Sequence, residues 1–347
     1  MTNPGKLRLS VLDQCPIPEG STAGDALRNT LDLARLADDL GYNRYWLAEH
    51  HGTPALACNS PEVLIGPVAA ETSHIRVGSG GIMLPHYSPL KVAENFSMLC
   101  NLYPGRIDLG IGRAAGTSRA VAHALQRDRR HPAPDDFPEQ LEELRGYFGH
   151  GDTTESPFTQ FSAAPVASAG PEFWLLGSSP QSAIWAAQLG LPYCFADFIN
   201  PEGAPFTQHY ARAFQPSTDC AQPRIAVAAW VICAQTDEEA RRLSLSARMM
   251  MTMLFRGRLI PVPTIERAQS FLEEEKVPLE MLTAGRRFIT GSPANVRAAV
   301  EALAEDYGAG EVFLVNILHS HTARKRSYEL VAEEFGIRSQ IQQSAVA

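Results

Sequence analysis

Eight short apolar runs, spread along 347 residues and separated by segments of helical character, constrain this chain more than any single motif. They are LRLSVLD (7–13), RYWLAE (44–49), IRVGSGGIML (75–84), RIDLGIG (106–112), FWLLG (173–177), LPYCFADF (191–198), RIAVAAWVIC (224–233) and EVFLVNIL (311–318). Rich in aliphatic, β-branched and aromatic residues and bounded by Gly, Pro or Asn, they read as strands. Most are apolar on both faces. Continuous rather than alternating hydrophobicity marks strands covered on both sides, as in a parallel sheet wrapped by helices.

The segments between them carry helix punctuation. In GDALRNTLDLARLADDLGY (24–42), Leu33, Leu36 and Leu40 fall on one side with Leu27, Leu31 and Ala34 beside them, and Gly41 supplies a C-terminal stop. Ser88-Pro89, Ser179-Pro180 and Ser292-Pro293 each pair an N-cap hydroxyl with a proline in the first turn, where its missing N–H costs nothing. Apolar residues at helical spacing follow each, and two of these helices stop at Gly190 and Gly308. Eight strands alternating with helices predict a (β/α)8 barrel, an α/β fold that takes about 250 residues before insertions. The whole chain, 1–347, is expected to form this one domain, with insertions at the C-terminal rim over about 114–138 and 245–290. The methionine run in the second insertion reads first as helix core. A doubly wound open sheet is the rival, but the first strand is followed by DQCPIPEG rather than a glycine-rich dinucleotide turn.

A net charge of -8 and a pI near 5.7 argue against nucleic-acid or anionic membrane partners. Six cysteines without a C-x-x-C pair suit reduced thiols. With neither a signal-peptide pattern nor an apolar run long enough for a membrane helix, a cytoplasmic protein is expected.

In a barrel, chemistry collects where strands end. Those ends carry Asp13-Gln14, Glu49-His50-His51, Gly80-Gly81 with Met83, Gly112-Arg113, Ser178-Ser179, Asp197-Phe198 and Asn316. GSSPQSA (177–183) places hydroxyls and free helix N–H groups at the mouth, and Arg113 can close an anion site there, which points to a phosphate. Two glycines inside a strand mark either the approach of a flat ligand or tight helix–sheet packing. No metal site is expected: His50 and His51, being adjacent, point in opposite directions, and no ligand pattern supplies partners.

AEHH (48–51), TSHIRVGSGGIMLPHYSPLKVAE (72–94), PGRIDLGIGR (104–113) and AAQLGLP (186–192), in this order and spacing, resemble the bacterial luciferase-like family of flavin-dependent monooxygenases, over Leu7 to about Phe335. The resemblance implies a (β/α)8 barrel that takes reduced FMN from a separate flavin reductase and reacts it with oxygen to oxidise a small organic substrate. It makes His50 the catalytic histidine, with Glu49 and His51 completing the motif. It sets Arg113, Ser178, Ser179 and Ser182 at the FMN phosphate, and Gly80-Gly81 at a non-prolyl cis peptide beneath the flavin ring. Relatives often pair as homodimers through helices beside the second and third strands. Gly112 stands where luminescent members carry cysteine, so light emission is not expected; Arg119, Arg127 or Arg129 would have to serve as a second phosphate arginine. A neighbouring carboxylate is expected to fix the tautomer of His50. Two other readings stay open at this point: a deazaflavin-dependent oxidoreductase on the same barrel, and a non-catalytic flavin-binding protein.

Overall fold

The computed structural model describes residues 7–113, 118–126, 129–131, 135–150, 170–275 and 288–337. Among the described residues, nine strands run β1 (Arg8–Asp13), β2 (Arg44–Leu47), β3 (Arg76–Met83), β4 (Ile107–Gly112), β5 (Glu172–Gly177), β6 (Tyr193–Ala196), β7 (Ile225–Cys233), β8 (Phe288–Gly291) and β9 (Glu311–Val315). The helices are α1 (Ala23–Leu40), α2 (Pro61–Ala70), α3 (Pro89–Leu102), α4 (Arg119–Leu125), α5 (Phe137–Gly146), α6 (Pro180–Gln188), α7 (Ala204–Ala213), α8 (Asp237–Phe255), α9 (Ile265–Glu274), α10 (Pro293–Tyr307) and α11 (His321–Phe335). All ladders are parallel; β1 to β7 follow one another in space, β9 joins β7 to β1, and the β6–β7 pairing closes the ring. This is the (β/α)8 barrel.

The eight runs supply the eight barrel strands, but β8 is additional. It pairs with the last four residues of β7, Trp230–Cys233, above the point where β6 lets go. Four residues, FITG, are too few to show a period, which is why pattern alone passes over them. Three runs also overshoot by two residues or more: β2 ends at Leu47, β6 at Ala196 and β9 at Val315. Beyond those points the ladder stops and the side chains become rim.

Two apolar cores follow from the period of two along each strand. Tyr45 and Leu47 face the helices, where they join Leu9, Val11, Val77 and Leu109. Trp46 and Ala48 face the barrel axis with Leu12, Trp174, Ala228, Trp230 and Phe313. Trp46 stacks on Phe313 at 4.0 Å and meets Trp174 edge-on at 5.4 Å. Below this aromatic layer, at the strand starts, Arg44 is buried among Asp108 (2.7 Å), Glu172 (3.0 Å) and Glu311 (3.2 Å). The N-terminal end is thus plugged by charge and the middle by rings, and the barrel opens toward the C-terminal rim.

Helix α1 turns a smaller face inward than its leucines suggest. Ala26, Thr30, Leu33, Ala34 and Ala37 are buried, while Leu27, Leu31, Leu36 and Leu40 are only half-buried. Small side chains let a helix lie close to the sheet, and the leucines flank the contact. Gly41, Gly190 and Gly308 all take the left-handed conformation expected at helix ends. Of the three Ser-Pro starts, only Ser179 uses its side chain as a cap; Ser88 and Ser292 do not. The methionine run lies in α8, with Met249, Met250, Met251 and Met253 buried. All six cysteines are free and buried.

Candidate active site

A cavity of about 360 Å³ opens at the C-terminal rim, and Glu49, His50, Gly80, Gly81, Arg113, Ser178, Ser179 and Ser182 all line it. Its floor is the inward face of the barrel, including Leu12, Trp46 and Ala228. The sequence-predicted residues therefore meet in one place, at the ends of β2, β3, β4 and β5; His51 sits behind them.

At one end the N-terminus of α6 opens into the cavity. Ser179 caps α6, its hydroxyl accepting from Ser182 N–H at 3.5 Å. Ser178 and Ser179 present hydroxyls at the positive end of that helix dipole. Ser182 has a different part: its buried Oγ donates to Ser179 O (2.8 Å) and lies 2.8 Å from Tyr193 OH, so it holds the first turn of α6 onto β6. Gly177 is what lets that turn close over β5, because a Cβ there would stand 2.2 Å from Ser182 Oγ. Arg113 rests over the Trp185 ring at 5.3 Å and pairs with Asp135 at 2.8 Å. Both partners of that ion pair are largely exposed, where such a pair is worth about 0–1 kcal/mol, so Arg113 leaves Asp135 at little cost.

At the other end stands His50. Arg44, Trp46, Ala48 and His50 share one parity, which carries the imidazole into the mouth of the barrel although the ladder ends at Leu47. Its N–H backbone donates to Cys58 O at 3.0 Å. Its Nδ1 is buried and has no hydrogen-bond partner among the described residues. Burial, reinforced by the neighbouring His51, pushes the His50 pKa down to about 4, so the ring is neutral at physiological pH. Glu49 takes the opposite parity and is fully buried; its Oε1 meets His51 Nε2 at 2.6 Å and its Oε2 accepts Met83 N–H at 2.9 Å. The expected carboxylate clamp on His50 is therefore corrected: Glu49 orients His51 and ties β2 to the end of β3. Adjacent residues on an extended segment face apart, and Glu49 shares its side with His51 rather than with His50.

A pH effect follows. The folded pKa of His50 lies below the ordinary 6.5, so the unfolded chain binds the proton more readily, and stability present above pH 6.5 is lost as pH falls toward 4. At pH 5 the loss amounts to about 2 kcal/mol relative to a His50→Asn variant, measured by urea unfolding of both proteins at pH 7.5 and pH 5.

The Gly80–Gly81 peptide is cis. A Cβ on Gly80 would stand 2.5 Å from Leu12 Cδ1 and 3.0 Å from Trp46 Cβ, and one on Gly81 would stand 2.8 Å from Gly110 O. Neither contact is with a helix: the crowding comes from the barrel interior and from β4. Glycine is thus required by neighbouring strands, and both residues expose their backbone to the cavity.

Not every polar residue of the rim faces that space. Asp13 is fully buried, held by Arg324 (2.7 Å), Thr30 (2.8 Å) and Tyr45. Asp197 accepts from Tyr307 OH at 2.7 Å, and Asn316 donates to Val231 O and Ser327 Oγ, both at 2.9 Å. These three brace strands and helices rather than a ligand. Arg119 and Arg129 are exposed, and Arg127 lies outside the described residues.

The family model of luciferase-like monooxygenases matches residues 7–310. The chain belongs to that family. The luciferase-like monooxygenase of Escherichia coli K12 is 38% identical over 334 residues, 94% of this chain and 96% of its own length. The N-acetyl-S-alkylcysteine monooxygenase of Bacillus subtilis strain 168 is 37% identical, over 94% of this chain and 98% of its own. The crystal structure of apo-MsnO8 superposes with a TM-score of 0.87 at 42% identity, covering 95% of this chain and 99% of the other.

Two aromatic residues, Trp185 in this cavity and Trp230 in the space adjoining it, are not singled out by sequence. Trp185 lies three residues after Ser182 and so on the same face of α6, a spacing that could have marked it. Trp230 lies inside the longest apolar run, where nothing distinguishes it from core. Among the described residues, no cluster of His, Cys, Asp and Glu could hold a metal ion, and no helix is long and apolar enough to cross a membrane.

Proposed function

We propose that this luciferase-like monooxygenase uses reduced FMN, delivered by a separate flavin reductase, and oxygen to oxidise a small organic substrate. One observation carries the reading: a single cavity brings Arg113, Ser178, Ser179 and the α6 N-terminus together with a buried neutral imidazole, with cis Gly80–Gly81 in its wall. A flavin fits this set. Ser178, Ser179, the α6 N-terminus and Arg113 would hold its phosphate, the apolar floor would take its ring, and the orphaned Nδ1 of His50 gives a polar atom that needs a partner. When bound, the reduced cofactor supplies the two electrons with which oxygen is split between product and water. The protein contributes placement and proton handling. His50, being neutral, offers one ring nitrogen as donor and one as acceptor, and the surrounding apolar wall keeps water from competing for either. Val63 on α2 and Met98 and Leu102 on α3 are exposed apolar side chains, which supports pairing of two copies through those helices.

Comparison of FMN with riboflavin tests the phosphate assignment. Arg113→Ala is expected to weaken FMN binding ten- to a hundredfold, the worth of a charge-assisted contact of about 1.5–3 kcal/mol, and to leave riboflavin, which lacks phosphate, unchanged. Equal loss for both ligands, or none, sinks it. Titration with FMN against a deazaflavin, together with oxygen uptake by the FMN-loaded protein, separates oxygenation from hydride transfer.

A further inference from the structure

We infer that a second chamber, of about 230 Å³ and joined to the first at His50, holds the organic substrate and selects an uncharged, mostly hydrocarbon molecule whose oxygen acceptor bonds the indole N–H of Trp230. Calling that ligand a substrate rests on the flavin reading; the chamber and its selectivity do not.

Gln14, His50, Phe198 and Ile199 line both spaces, so the imidazole stands in the wall they share. The remainder of the second chamber is apolar, with Leu56 and Ile317 from the barrel side and Met250, Met251 and Leu254 from α8. Among the described residues, no Lys, Arg, Asp or Glu lines it. Arg248, on the same helix, lies against the Phe288 ring at 5.6 Å and is not among the lining residues. A carboxylate or ammonium entering here would lose its water without gaining a counter-charge, a cost large enough to exclude it.

Trp230 gives the chamber its specificity. Its ring is stacked on Phe288 (5.5 Å, 6° between planes) and meets the edge of Phe198 (5.9 Å, 82°), so its orientation is fixed. Only 5% of it is exposed, and its Nε1–H is buried with no acceptor among the described residues. A buried donor left unpaired is costly, and tryptophan inside a protein ordinarily finds an acceptor for its N–H. A ligand carbonyl or ether oxygen in the chamber supplies one. The two methionines opposite are unbranched and adaptable, so the hydrocarbon part is matched by size rather than by fixed shape.

Three probes of nearly one shape test this by calorimetry: 4-phenylbutan-2-one, its anionic counterpart 3-phenylpropanoate, and isopentylbenzene, which has no oxygen. On the wild-type protein saturated with oxidised FMN, the ketone is expected to bind at least tenfold more tightly than the carboxylate and severalfold more tightly than the hydrocarbon. Trp230→Phe keeps the ring and removes the donor; it should weaken the ketone five- to tenfold and leave isopentylbenzene unchanged. Ala247→Phe, which fills the chamber, should abolish ketone binding while FMN binds as before. Carboxylate binding equal to that of the ketone overturns the inference without recourse to any variant, as does a Trp230→Phe protein that loses ketone and hydrocarbon alike. Should FMN fail to bind while the probes, titrated without it, keep this order, the flavin reading falls and the chamber stands.

Discussion

Replacing Arg44 by methionine is expected to lower the unfolding free energy by about 3–5 kcal/mol at neutral pH, the range for a buried ion pair that loses one partner. The guanidinium is the hub of the charged plug under the aromatic layer. It reaches Asp108, Glu172 and Glu311 and lies 5.0 Å from the Trp174 ring. Asp108 and Glu311 are fully buried, so neither recovers in water what it loses. Methionine fills much of the volume, which isolates the electrostatic part. The pH dependence identifies the cause. Burial alone would raise the Glu172 carboxyl, but Arg44, Arg224 and Arg76 outweigh it and hold it at about 2. A carboxyl depressed in the folded state contributes stability above its unfolded pKa, near 4.5, and that contribution is lost as pH falls through the folded value. Without Arg44 the depression shrinks. The gap between wild type and variant should therefore be widest at pH 7.5 and narrow only as pH falls below about 4 toward 2, as read from urea midpoints. A gap independent of pH would show that packing, not charge, sets the cost.

His50→Ala is expected to lower oxygenation turnover by about a hundred- to ten-thousandfold while FMN affinity changes less than threefold. The imidazole lines both chambers, whereas Arg113, Ser178 and Ser179 line only the first, so on the proposed reading its loss touches proton handling and not anchorage. Glu49→Gln should behave differently. Its carboxylate contacts His51 and Met83 N–H, so that variant bears on the shape of the β2–β3 rim before it bears on chemistry. Steady-state product formation with reduced FMN, alongside flavin titration of the same preparations, measures both. Unchanged turnover in His50→Ala would remove the imidazole from the reaction.

How much of this was legible in the chain can be stated residue by residue. The barrel was, because strands buried on both faces must be apolar throughout and helices between them must carry their own stops; local composition records both. The meeting of Arg113, Ser178 and Ser179 at one cavity was, because a cap, a proline and an arginine at a strand end are short-range signs. His50 was, by parity with Trp46 and Ala48 together with its motif. The fate of the other rim groups was not. Asp13 looks as free as His50 until Arg324, 311 residues away, is folded against it, and Arg44 gives no sign of the three carboxylates that gather around it. Trp230 acquires meaning only when α8 lays Met250 and Met251 across the chamber it lines. The sequence by itself determined which segments are the eight barrel strands, where helices lie between them and which residues arrive at the open end, since periodicity and capping are local properties. Only the tertiary structure decided which of those residues are spent on bracing, whom Glu49 holds, and where a second cavity opens, because hydrogen-bond satisfaction and empty volume depend on partners brought together from distant parts of the chain.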